Sequence, residues 1–149
     1  MSYNHNRFAG KHMRGSQMLK RIHLIVGALG LVGFLLQGQY MDLVHAHLEH
    51  MDDAPRMLYR SNHIYFLLTS LLNVVMGVYL PDGRPPVRPI VQWVTSGIVL
   101  LAPALIMVGF LLEPGMQDFV RPFTRPALYG LFGVGVVLCL SAVLSMRNR

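Results

Sequence analysis

The residues able to do chemistry crowd into one stretch. From Gln39 to His63 the chain reads QYMDLVHAHLEHMDDAPRMLYRSNH, which holds His45, His47, His50 and His63 together with Asp42, Glu49, Asp52 and Asp53. Mixed imidazole and carboxylate donors suit zinc, iron or manganese. No Pro or Gly interrupts Gln39 to Ala54, so the first helix reads as continuing past the membrane surface for two to three turns, up to a tight turn at Met51 to Ala54. At about 100° per residue, Asp42, His45 and Glu49 fall within about 60° of one another, and His47 and His50 form a separate pair on the other side.

Pro55 is placed to open a second helix. Folding the two helices about a tight turn at 51–54 sets Asp42 level with His63, His45 with Arg60 and Glu49 with Arg56. One reading is an electrostatic zipper, Glu49 with Arg56 and Asp42 with His63, each pair worth about 0–1 kcal/mol. The other is a divalent-metal site built from Asp42, His45, Glu49 and His63. The zipper is the stronger of the two, because Arg56 and Arg60 would repel a cation.

A third reading is b-type haem, which needs two axial ligands at one depth on neighbouring helices. His63 opposite His45 meets that need, with Arg56 and Arg60 to pair with the propionates. Leu19-Lys20-Arg21-Ile22-His23 at the start of the first apolar helix, with Leu58-Tyr59-Arg60 before the second, resembles small four-helix haem proteins of bacterial membranes. The likeness covers those two patches of the first half and implies a haem held within the bundle. His23 itself, alone at the opposite end, reads as an interfacial side chain. Farther along, Glu113 and Asp118 are placed either to complete a ligand set or to pair with Arg121 and Arg125.

These residues are held by apolar elements. Of 149 residues, 53% are hydrophobic and 13% charged, where a soluble domain carries roughly a quarter charged. A bilayer core about 30 Å thick takes about 20 helical residues. Four runs free of Asp, Glu, Lys and Arg qualify, at about 22–41, 64–80, 90–112 and 126–146. They lack the alternation of a barrel strand. The expected fold is an all-α integral membrane protein, an up-down bundle of four transmembrane helices with a helical hairpin projecting on the outer side. Lys20 and Arg21 precede the apolar stretch from Leu24 to Leu36, but no small-x-small cleavage pattern follows, so it is kept as a span.

Basic residues set the orientation. Arg7, Lys11, Arg14, Lys20, Arg21, Arg84, Arg88, Arg147 and Arg149 fall on one side, against Arg56, Arg60, Arg121 and Arg125 on the other. The expectation is a bacterial inner-membrane protein with both termini cytoplasmic. Tyr79 and Trp93 lie at the inner boundary, and Tyr40, Tyr65, Phe123 and Tyr129 at the outer one. The chain divides into a basic arm, 1–17, expected to be disordered, and one membrane domain, 18–149. The segment Pro81 to Pro89 reads as a stiff turn.

Small and polar residues mark the contact faces. Gly27, Gly30, Gly33, Gln37, Gly38, Met41 and His45 share a stripe with His23 in the first helix, and Asn62, His63, Thr69, Ser70, Asn73 and Gly77 form another in the second. In lipid such residues permit close approach and hydrogen-bond across helices, so Gly30, Gly33 and Asn73 read as packing elements. Pro103 must free the carbonyl of Val99, which Ser96 or a neighbouring helix is placed to satisfy.

Several functions are excluded or disfavoured. The one cysteine, Cys139, allows no internal disulfide or redox thiol pair, and the basic residues are too dispersed for extended nucleic-acid binding despite a net charge of +6. No nucleophile–base pair or phosphate-binding glycine loop is apparent. The leading expectation is a non-catalytic accessory or scaffold subunit of a membrane complex. Its partners would be the lipid bilayer, other membrane proteins or further copies of itself. The haem or metal protein is the alternative, and a small oligomeric permease the third.

Overall fold

The computed structural model describes residues 5–79, 89–116 and 121–147, so the turn expected over 81–88 and the carboxylate of Asp118 lie outside the described residues. Four long helices make up nearly all of them: α1 (His5–Leu43), α2 (Asp53–Tyr79), α3 (Pro89–Leu112) and α4 (Thr124–Arg147). Four stretches are long and apolar enough to cross a membrane, Gly15–Leu43, Asp53–Tyr79, Ile90–Gly115 and Thr124–Leu144, the third running from α3 through the short 3-10 turn Glu113–Gly115. Helix is what such sequences must form in lipid, because it satisfies every interior backbone group within the segment. The polar arm, expected to be disordered, continues α1 back to His5.

Successive helices pack antiparallel. Between α1 and α2, Leu24 meets Gly77 and Gly33 meets Phe66. Between α3 and α4, Ile98 meets Gly130 and Gly109 meets Thr124. The main contacts join α1 to α2, α2 to α3 and α3 to α4, and α1 only brushes α3.

The α1–α2 seam is built on absent side chains. A methyl group at Gly30 would fall onto the Ser70 side chain, and one at Gly33 would lie 2.9 Å from the Phe66 ring. The helices are therefore closer than any larger residue would allow. Phe66, Ala102, Ile106 and Ala127 form the central apolar cluster, flanked by Phe34, Met107 and Leu131, so all four helices contribute to it. A second cluster of Leu48, Tyr59 and Phe110 closes the end that carries the α1–α2 connection.

That connection departs from the expected hairpin. Helix α1 stops at Leu43, and a short 3-10 turn follows over Ala46–Leu48. Ala46, His47 and Leu48 all adopt left-handed backbone, with φ of 45°, 58° and 64°. L-residues enter this region at a cost of about 1–2 kcal/mol each. Leu48, 3% exposed against Tyr59 and Phe110, supplies compensating burial. Helical phase therefore stops applying beyond Leu43, and the grouping of Asp42, His45 and Glu49 on one helix face does not form.

Candidate functional site

Three buried polar bridges tie the helices together at three depths. Near the start of the apolar part of α1, the Asn73 amide donates to the carbonyls of Thr69 and Val99, both at 2.9 Å. Pro103 has no N–H to give Val99, so α2 supplies the bond that α3 lacks there. With its nitrogen so committed, Asn73 turns Oδ1 to His23, whose Nδ1–H donates across 2.8 Å. His23 Nε2 is then a bare acceptor, buried without a partner; the Ser96 hydroxyl is also buried without one. His23 is wholly buried. This corrects the interfacial placement: its phase with Gly27 and Gly30 put it on the contact face, and the close α1–α2 approach encloses it.

Farther along α1, Gln37 joins three helices. Its amide nitrogen donates to Met107 Sδ at 3.3 Å, and its oxygen accepts from His63 Nδ1 at 3.3 Å. The His63 ring stacks on Phe34, with centroids 4.1 Å apart.

The third bridge is the densest. Glu113 leaves the end of α3 and is wholly buried. Its Oε1 accepts from the backbone N–H groups of Phe123 (3.1 Å) and Thr124 (2.8 Å), where α4 begins. Its Oε2 accepts from the Asn62 amide (3.0 Å) and the Thr124 hydroxyl (2.7 Å), which also reaches Asn62 Oδ1 at 3.0 Å. A carboxylate at a helix N-terminus satisfies orphan N–H groups and favours the helix dipole. Glu113 thus fastens α2, α3 and α4 at one point. A methyl group at Gly109 would lie 3.1 Å from the Glu113 carboxyl carbon, so glycine there makes room for the acid. The pairing foreseen for Glu113, with Arg121 or Arg125, is replaced by these four donors. The signal was present in the sequence: an acid directly ending an apolar run, and Thr124 with Pro126 opening the next.

The histidine-rich connection between α1 and α2 is arranged differently from both readings of the hairpin. Asp42 pairs with His47, Oδ1 to Nε2 at 2.6 Å, rather than with His63. His45 packs its ring against Tyr40 and Tyr59, with centroids 5.2 and 5.1 Å away. Arg56 closes the turn through the backbone carbonyls of Met51 and Glu49 and an ion pair with Asp53 at 3.4 Å, so it meets the main chain of Glu49 and not the expected carboxylate. Glu49, His50 and Arg60 are exposed. Among the described residues, no three histidines, cysteines or carboxylates converge on a point able to hold a metal ion. Asp42, His45, Glu49 and His63 are not gathered because the left-handed turn redirects the chain after α1. His45 and His63 likewise have different neighbours, an aromatic cluster for one and the Gln37–Phe34 pair for the other.

Comparison with protein families, with characterised proteins and with solved structures finds no significant match, so the function must be argued from these bridges and surfaces alone.

Proposed function

We propose that this chain is a bacterial inner-membrane protein with both termini in the cytoplasm, serving as a non-catalytic accessory or scaffold subunit of a membrane complex. One observation carries the reading: the buried polar side chains of His23, Gln37, Asn62, Asn73, Glu113 and Thr124 bond from one helix to another. Side chains committed in this way hold helices in place. Much of the remaining surface is apolar, including Phe132, Leu140, Val143 and Leu144 on α4, each 58% exposed or more. That surface suits lipid and neighbouring membrane helices.

The test is purification of the full chain from native membranes in mild detergent, with subunit mass spectrometry, an absorption spectrum and metal analysis on one sample. The expected result is a stable assembly with other membrane subunits and neither chromophore nor stoichiometric metal. A haem spectrum lost in His63→Ala or His45→Ala would establish the cofactor reading instead. Metal lost with Asp42, His45, Glu49 or His63 would do the same for a metal protein. A lone monodisperse species that moves solute across reconstituted vesicles would establish a permease.

A further inference from the structure

Two buried polar atoms are left over beside the Asn73 bridge, and the bonds around them define what each can still accept or donate. The Asn73 nitrogen is spent on Thr69 and Val99, so its oxygen takes the Nδ1–H of His23. The other ring nitrogen, Nε2, therefore carries a lone pair and no proton, and it is buried without a partner. The Ser96 hydroxyl on α3 is the second such group, able both to donate and to accept. Its neighbour Thr95 turns back on the carbonyls of Val91 (2.8 Å) and Gln92 (3.1 Å), which leaves Ser96 as the hydroxyl of this turn with bonds still to make. His23 and Ser96 are both 0% exposed, and groups so buried are almost always partnered.

The two atoms lie to the same side of Asn73. Leu24 meets Gly77, a turn beyond Asn73 on α2, so His23 approaches from the end where the apolar part of α1 begins. Ser96 precedes Val99 by three residues, which sets it about 4.5 Å toward that same end and on the same face of α3. One amide, 2.8 Å from His23 and 2.9 Å from the Val99 carbonyl, holds both helices here. His23 Nε2 and Ser96 Oγ nonetheless make no direct hydrogen bond. Whatever joins them has to be small, because neither residue reaches the surface and Leu19, one turn before His23, is buried as well. A metal ion needs more donors than these, and among the described residues no three ligating side chains converge. Water can donate to an imidazole nitrogen, bond a hydroxyl and be held by two such partners.

We propose that one internal water molecule links α1 to α3, donating to His23 Nε2 and accepting from the Ser96 hydroxyl. It completes the tie that Asn73 makes to each of the two helices separately. The inference is independent of the accessory-subunit reading.

The full chain is deuterated, labelled with ¹⁵N, returned to ordinary water so that only exchangeable sites carry protons, and placed in lipid bilayers for solid-state NMR. His23 is assigned through its own backbone. The expected result is a protonated Nδ1 and a bare Nε2 that receives magnetisation at short contact times from a proton at the water frequency. Ser96→Ala should abolish most of that transfer. It should also raise the unfolding equilibrium constant in detergent about fivefold, the worth of one net hydrogen bond. Alanine is the better helix former, so a loss reports the bonds of the hydroxyl. Ser96→Thr, which keeps the hydroxyl, should retain the water signal. No transfer to Nε2 in the parent protein would overturn the proposal, as would transfer from the serine hydroxyl alone, since the side chains would then meet directly. Unchanged or improved stability in Ser96→Ala would overturn it too, because that is what deleting a hydroxyl with no partner produces.

Discussion

Glu113 illustrates how much one side chain can hold in a bundle that offers few polar partners. Its carboxylate accepts from two backbone N–H groups, an amide and a hydroxyl. Removing it strands buried donors, each at about 1–3 kcal/mol. Glu113→Ala is therefore expected to destabilise the protein by at least about 3 kcal/mol, measured by denaturant unfolding in detergent followed by circular dichroism. Glu113→Gln should be milder, because one oxygen remains for the backbone donors and the Asn62 amide can rotate to present its own. Equal losses for the two variants would mean that acceptors are not what this site supplies. His45 and His63 show how the reading of single residues ran ahead of the chain: their spacing allowed a shared ligand, and their neighbours in the fold are Tyr59 and Gln37 instead.

Helices in this protein are adapted to one another in pairs. Pro103 withholds a hydrogen bond from α3, and Asn73 of α2 replaces it. Asn73→Leu is expected to cost about 1–2 kcal/mol, the value of an interhelical hydrogen bond in lipid. Pro103→Ala alone should change stability little, since it returns an N–H to a carbonyl already satisfied. In the Pro103→Ala background the Asn73→Leu loss should shrink, with a coupling energy of about 0.5–1 kcal/mol in the double-mutant cycle. Strict additivity would show that the two residues do not share the Val99 carbonyl. The α1–α2 seam makes a steric prediction: Gly30→Leu must displace Ser70, so overpacking of about 1–3 kcal/mol or more is expected. Gly135→Leu, with open space around it, should be tolerated. Folded yield in detergent distinguishes the two. The stripe that contains Gly30 was legible because small residues recur at helical spacing. The end of α1 was not, because nothing in a run free of Pro and Gly announces a left-handed turn at Ala46.

For the whole molecule, orientation is the open quantity with the simplest test. With Cys139 replaced by serine, His47→Cys should react with a membrane-impermeant thiol reagent in intact cells and Arg84→Cys should not. The reverse pattern would invert the map and carry every outer-side assignment with it. The amino-acid sequence by itself determined that there are four long apolar helices, and nearly where they run. Hydrocarbon admits few backbone solutions, and an uninterrupted apolar run of this length is a local property of the chain. Which polar groups meet was decided only by the tertiary structure. His23 finds Asn73 across 50 residues, Asn73 finds Val99 across 26, and Asn62 finds Glu113 across 51. Such pairings depend on how each helix is rotated and how closely it approaches its neighbour. Both are set by the packing of the whole bundle, to which every helix contributes and which no single segment encodes.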